Sequence, residues 1–169
     1  PDSTSDGSSA GVRLFARRPH GAWKTNAALI WSGSYQQAAL TTSYTVDLGK
    51  LAVTPIVRLG WGADLPLQDQ FPLGGTGGFP GLAVEQLRGD RELFGGLELS
   101  HPIRGSLRWE VLAAAGRSAY GGDLFADTDW LGGVRAGVAL ETPIGDVQAA
   151  YGITTTKTDN MFVRIGRWF

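Results

Sequence analysis

Apolar and polar residues alternate with a period of two along most of the chain. From residue 92 one side reads Leu93, Leu97, Leu99 and Ile103, while the other carries Glu92, Glu98 and Ser100. Leu107, Trp109, Val111 and Ala113 then alternate with Arg108 and Glu110, and Val134, Ala136, Val138, Leu140 and Ile144 with Arg135 and Glu141. Val147, Ala149, Tyr151 and Ile153 alternate with Gln148, Gly152 and Thr154, and Met161, Val163, Ile165 and Phe169 with Arg164 and Gly166. Upstream the same period runs through Trp23 to Trp31, Leu40 to Val46 and Leu51 to Trp61, with a shorter run at Val12 and Leu14 around Arg13. Side chains of a strand point alternately to its two faces, so this pattern predicts eight strands and a ninth, weaker one at Val12.

The connections are of two kinds. Leu48-Gly49-Lys50, Pro102 to Gly105 and Pro143 to Asp146 are short and rich in glycine or proline; between them lie Asp64 to Asp90, Ser118 to Trp130 and Thr155 to Asp159. Short turns at one end and longer loops at the other are what an outer-membrane barrel has at its periplasmic and extracellular rims, respectively. That assignment leaves the C-terminus periplasmic. Eight strands would put the N-terminus there too, and the ninth would reverse it.

Which side of each strand is charged separates a membrane barrel from a soluble one. Lys24, Arg58, Arg108, Arg135 and Arg164 share faces with Glu92, Glu98, Glu110 and Glu141, whereas the opposite faces are almost free of charge and carry Trp23, Trp31, Trp61 and Trp109. A small soluble barrel would have to crowd those tryptophans into its interior. The expectation is an all-β fold: an antiparallel transmembrane β-barrel of about eight strands over residues 11–169, after a polar tail over 1–10. No apolar run reaches the 18 residues that suggest a spanning helix. The polar start, Pro1 to Gly7, implies a removed signal peptide or a piece of a longer protein. The 25 glycines and 6 tryptophans among 169 residues suit bends and membrane rims. Fifteen basic residues against 16 acidic ones, scattered singly, argue against a nucleic-acid partner, and the lack of cysteine excludes disulfides and thiolate chemistry.

The long loop is more specific. Gln70-Phe71-Pro72-Leu73-Gly74-Gly75, Gly78-Phe79-Pro80-Gly81-Leu82 and Arg88-Gly89-Asp90-Arg91-Glu92, followed by the strand to Ile103, resemble the signature of the bacterial surface antigen superfamily. Its members are the C-terminal barrels of outer-membrane assembly factors, two-partner secretion transporters and patatin-like phospholipase fusions. The last strand, Phe162 to Phe169, resembles the family's closing strand, with Ile165, Gly166 and Phe169 as the expected assembly signal. The resemblance implies a sixteen-stranded barrel, of which this chain supplies about half, and a loop that folds into the lumen and pairs with a strand residue. Phe71, Leu73, Gly74, Gly75, Phe79 and Gly81 are the residues of that signature loop in this sequence. Phe79-Pro80-Gly81-Leu82 stands where the family carries an arginine-bearing tip, which is more like the patatin-linked branch.

Candidate chemistry is sparse. Gly7-Ser8-Ser9-Ala10-Gly11 satisfies the serine-hydrolase pattern, but that elbow needs a preceding strand and a following helix, and here a strand-like segment follows. His20 and His101 lack metal-ligand spacing, and no helix follows Gly74 to Gly78 to make a phosphate cradle. Arg88-Gly89-Asp90 matches an adhesion tripeptide only at three residues. The interior charges are the constellation that matters. Arg58, Glu98, Glu110, Arg135, Glu141 and Arg164 are expected to pair across the lumen, since unpaired buried charge is costly, and the first four are the best candidates to grip the folded-in loop.

The expected function is a non-catalytic barrel in the bacterial outer membrane that anchors or translocates a polypeptide, needing no metal or cofactor. Its expected partners are the bilayer, the outer-membrane assembly machinery during biogenesis and, if eight strands do not close alone, a second copy. The alternative is a stand-alone structural or adhesive barrel whose external loops bind a partner.

Overall fold

The computed structural model describes residues 10–17, 22–31, 35–74, 78–83, 86–121, 130–143 and 145–166. Nine strands form one antiparallel sheet in the order β1 (Ala10–Arg17), β2 (Ala22–Trp31), β3 (Gln36–Leu48), β4 (Leu51–Ala63), β7 (Arg91–Arg104), β8 (Leu107–Ala119), β9 (Leu131–Thr142), β10 (Gly145–Thr154) and β11 (Asp159–Ile165). Two short strands, β5 (Phe71–Pro72) and β6 (Arg88–Gly89), pair within the long loop, which also holds a single 3-10 turn at Leu67–Asp69. No helix among the described residues is long and apolar enough to cross a membrane. Each segment that alternates in the sequence is a strand, including the weak one around Val12. With nine strands instead of eight, the chain enters β1 at the rim of the long loops, since Ala10 pairs with Trp31 and Gln36 with Ala63.

One face of this sheet is almost entirely apolar and exposed. Trp23, Leu29, Tyr44, Val57, Leu59, Trp61, Leu97, Val134, Val138, Leu140, Tyr151, Met161 and Val163 all project from it. That is an inside-out protein by soluble standards and the expected outer wall of a barrel in lipid. Ten residue steps from Leu93 to Ile103 give a strand path of about 33 Å, which a tilt of about 40° reduces to about 25 Å, the height of the apolar band of such barrels. Aromatics gather at both rims: Trp23 against Tyr44 and His101 stacked on Trp109 at the turn end, Trp61 and Trp130 at the loop end. His101 thus belongs to strand β7 and to the outer wall.

The other face is concave. Thr41 of β3 and Arg164 of β11 line one cavity, although six strand spacings of about 4.8 Å would set their strands about 29 Å apart in a flat sheet. The edge strands β1 and β11 do not pair with each other among the described residues.

Candidate functional site: the folded-in loop and the charges beneath it

The loop between β4 and β7 folds onto the concave face. Leu73 and Phe79 have no exposed surface, Leu82 is buried, and with Phe94 and Leu131 they form the one apolar cluster found among the described residues. Backbone must come close to the wall for this to happen, and glycine permits it. A Cβ on Gly60 would stand 2.7 Å from the Phe71 ring, and one on Gly133 2.9 Å from Phe79; Gly116 faces the same ring. On β10, Gly152 lies against the backbone of Gly81, whose φ of +76° is itself a glycine conformation. Many of the glycines therefore serve the inner wall, not the bends to which composition alone assigns them. Phe79 completes the seat with an edge-on contact to Phe94, centroids 6.1 Å apart.

Polar bonds tie the loop's mouth to the rim. Gln37 donates to the Asp69 carbonyl at 2.7 Å and the Tyr120 hydroxyl to Gln70 at 2.8 Å, while within the loop Arg88 donates to the Leu67 carbonyl at 2.6 Å. Tyr35 hydrogen-bonds Asp69 as well; lost solvent contact, that bond and the nearby negative charge push its phenol up. Asp90 accepts from the Gly121 amide at 2.8 Å, and Gly89 is buried against β8, so Arg88-Gly89-Asp90 is built into the loop's base and is not a displayed tripeptide.

Below the loop, strand residues alone line a polar cavity of about 290 Å³: Arg58, Glu98, Arg108, Glu110, Arg135 and Arg164 are the charged ones. Arg58 pairs with Glu92 at 3.1 Å and lies 4.1 Å over the Phe94 ring. Arg135 is 3.8 Å from Glu98, and Arg108 bridges Glu110 and Asp146 at 2.7 Å each. Gln148 donates to the second Glu110 oxygen. Five of the six expected lumen charges are thus brought together; Glu141 is exposed at the turn end of β9 instead. Asp146 and Gln148 were missed. Asp146 sits in what reads as a turn, and Gln148 carries no charge, although its alternation with Val147 and Ala149 did put it on the inner face.

The tip and the charges meet through Phe94, which touches Phe79 on one side and Arg58 on the other. Of the remaining expected residues, Gly74 lies in close backbone contact with Ala83, and Ile165 and Gly166 end β11. Gly75, Phe169, His20 and most of the Gly7 to Gly11 motif lie outside the described residues. Ala10 and Gly11 open strand β1, so no helix follows that serine motif. No group of metal-binding side chains occurs among the described residues.

The sequence matches no protein-family model and no curated protein. Among solved structures it is similar to BamA from Haemophilus ducreyi lacking POTRA domains 1–3, with a TM-score of 0.68 and 15% identity over 92% of this chain. The match covers 40% of that structure, so the chain spans about two-fifths of its length. At that identity the likeness is one of fold, the β-barrel of outer-membrane type.

Proposed function

We propose that this chain is the loop-bearing part of an outer-membrane barrel of the surface antigen type, in which the inserted loop is a built-in plug and the barrel anchors or translocates a polypeptide. The observation that carries this reading is the burial of Phe79-Pro80-Gly81-Leu82 against glycines of the inner wall. The apolar tip, in place of an arginine-bearing one, supports the finer placement in the patatin-linked branch. An adhesive role has less support, because the long loop that would bind a partner buries Leu73, Phe79 and Leu82 against the inner wall.

Among the described residues the two edges of the sheet are unpaired, and unpaired strand edges are not tolerated in lipid. Further strands, from the same polypeptide or a second copy, are proposed to pair with β1 and β11 and close a larger barrel. The test is native mass in mild detergent together with the heat-dependent gel shift of folded barrels. A dimer, or folding only when upstream strands are supplied, supports the reading. A heat-modifiable monomer of this chain alone would mean that nine strands close on themselves and would sink the larger barrel.

A further inference from the structure

Across the outward positions of β2–β4 and β7–β11 the wall carries four formally charged side chains: Arg91 and, past the bulge at its far end, Arg104 on β7, Arg117 on β8 and Asp159 on β11. Arg104 stands at the turn rim; the other three lie at the loop end, where Asp159 already accepts from Tyr151 at 2.8 Å. Arg91 pairs with Ala119 and Leu93 with Arg117, which makes the two arginines diagonal neighbours, roughly 7–8 Å apart by general sheet geometry. A guanidinium on the lipid face is costly at the midplane and nearly free at the interface. Position alone therefore makes the pair tolerable, without explaining why both stand side by side at one rim.

Arg91 is held ready for a ligand. Its Nη1 donates to the Gly62 carbonyl and lies 3.5 Å from the Asp90 carbonyl, and its guanidinium stands 4.8 Å from the centroid of the Trp61 ring. Nε and Nη2 make no hydrogen bond to the described residues. Arg117, 8% exposed and already engaged within the protein, adds its charge beside it. Directly below, toward the membrane centre, Leu59, Val57 and Leu97 form an exposed apolar track. Cationic donors above an apolar track match a molecule with an anionic head and acyl chains.

We infer that Arg91, flanked by Trp61 and supported by Arg117, binds the phosphorylated headgroup of a lipid in the leaflet at the loop end, with its chains along Leu59 and Leu97. Arginine presents a planar fork of donors suited to phosphate. The inference rests on the membrane-barrel reading. The test is native mass spectrometry of the detergent-purified chain with bis-phosphorylated lipid A, beside a dephosphorylated form with the same acyl chains. Wild type is expected to retain the phosphorylated lipid preferentially, Arg91→Gln to weaken retention about tenfold and Arg117→Gln about threefold, the scale of a charge-assisted hydrogen bond. His101→Gln, on the same face at the opposite rim, should change nothing. Arg91→Lys, which keeps the charge but loses the fork, should fall between and covers the case in which Arg91→Gln does not fold. Equal retention by heat-modifiable Arg91→Gln or Arg91→Lys overturns the site. Displacement of the lipid by excess inorganic phosphate alone also overturns it, as recognition of the free ion. A wild-type chain that shows neither heat-modifiability nor insertion into vesicles overturns the barrel reading itself.

Discussion

The inner wall is two walls. On β4 and β7–β10 it carries Gly60, Gly116, Gly133 and Gly152, the Phe94 ring and the paired charges, and the loop lies against it. On β2 and β3 the sequence has no glycine at all, and the inward positions run from Lys24, Asn26, Thr41 and Ser43 to Ala28, Ile30 and Ala39, with Lys24, Asn26 and Thr41 exposed. The same strand geometry and the same alternation thus give opposite surfaces. What differs is side-chain volume: where it is removed the backbone of another segment can approach, and where it is kept water stays.

The strongest way to break this contrast is to refill the glycine seat. Gly133→Val together with Gly152→Val puts carbon where Phe79 and the Gly81 backbone lie, and the loop should leave the wall. Exposing Leu73, Phe79 and Leu82 costs on the order of 5 kcal/mol of docking energy, taking about 1.5–3 kcal/mol for each side chain. Limited proteolysis of the folded barrel should then cut within residues 64–90, where wild type resists. Phe79→Ala alone is expected to cost about 3–4 kcal/mol and give partial cutting. Continued protection in the double glycine variant would mean that the polar bonds at the loop's mouth suffice to hold it.

A smaller effect is expected from the charges. Arg58→Leu leaves the Glu92 carboxylate buried without its partner, and should lower the urea midpoint of unfolding by the equivalent of about 2–3 kcal/mol, somewhat under the usual figure because Arg58 keeps 18% of its side-chain surface exposed. Replacing both with leucine should recover most of that loss, since an apolar pair of similar size avoids the desolvation of two charges. If the double variant is as unstable as the single one, the network has a role beyond mutual neutralisation.

Much of this architecture is legible in the sequence, for a definite reason. A membrane wall forces strict alternation, so the strands, the short turns and the inward side of Arg58, Arg108, Arg135 and Arg164 follow from period two alone. Phe71, Leu73 and Phe79 were found through the loop's resemblance to a family signature. Neither source shows what the tip touches. Gly116, Gly133 and Gly152 sit at inward positions in three separate strands, and only the register, Gly133 opposite Thr154 and Gly152 opposite Arg135, brings them under one loop. Asp146 was missed because it follows Gly145 at the very start of β10, beside a turn, and Glu141, opposite it in register, was put in the lumen because alternation says which side a residue faces and not how far along the barrel it lies.

The bare wall gives the smallest effect and the sharpest test of the asymmetry. Asn26 is exposed on the inward side of β2, opposite Thr41, and its side chain makes no hydrogen bond among the described residues. A side chain facing water on both counts contributes little, so Asn26→Ala should shift stability by no more than about 0.5 kcal/mol. A urea titration followed by the heat-dependent gel shift measures this directly. A loss of more than about 1 kcal/mol, which is the scale of a buried hydrogen bond, would show that something covers this wall as the loop covers the other. The contrast between a seated and a solvated side would then reflect two occupied surfaces, one of them filled by a segment other than the loop.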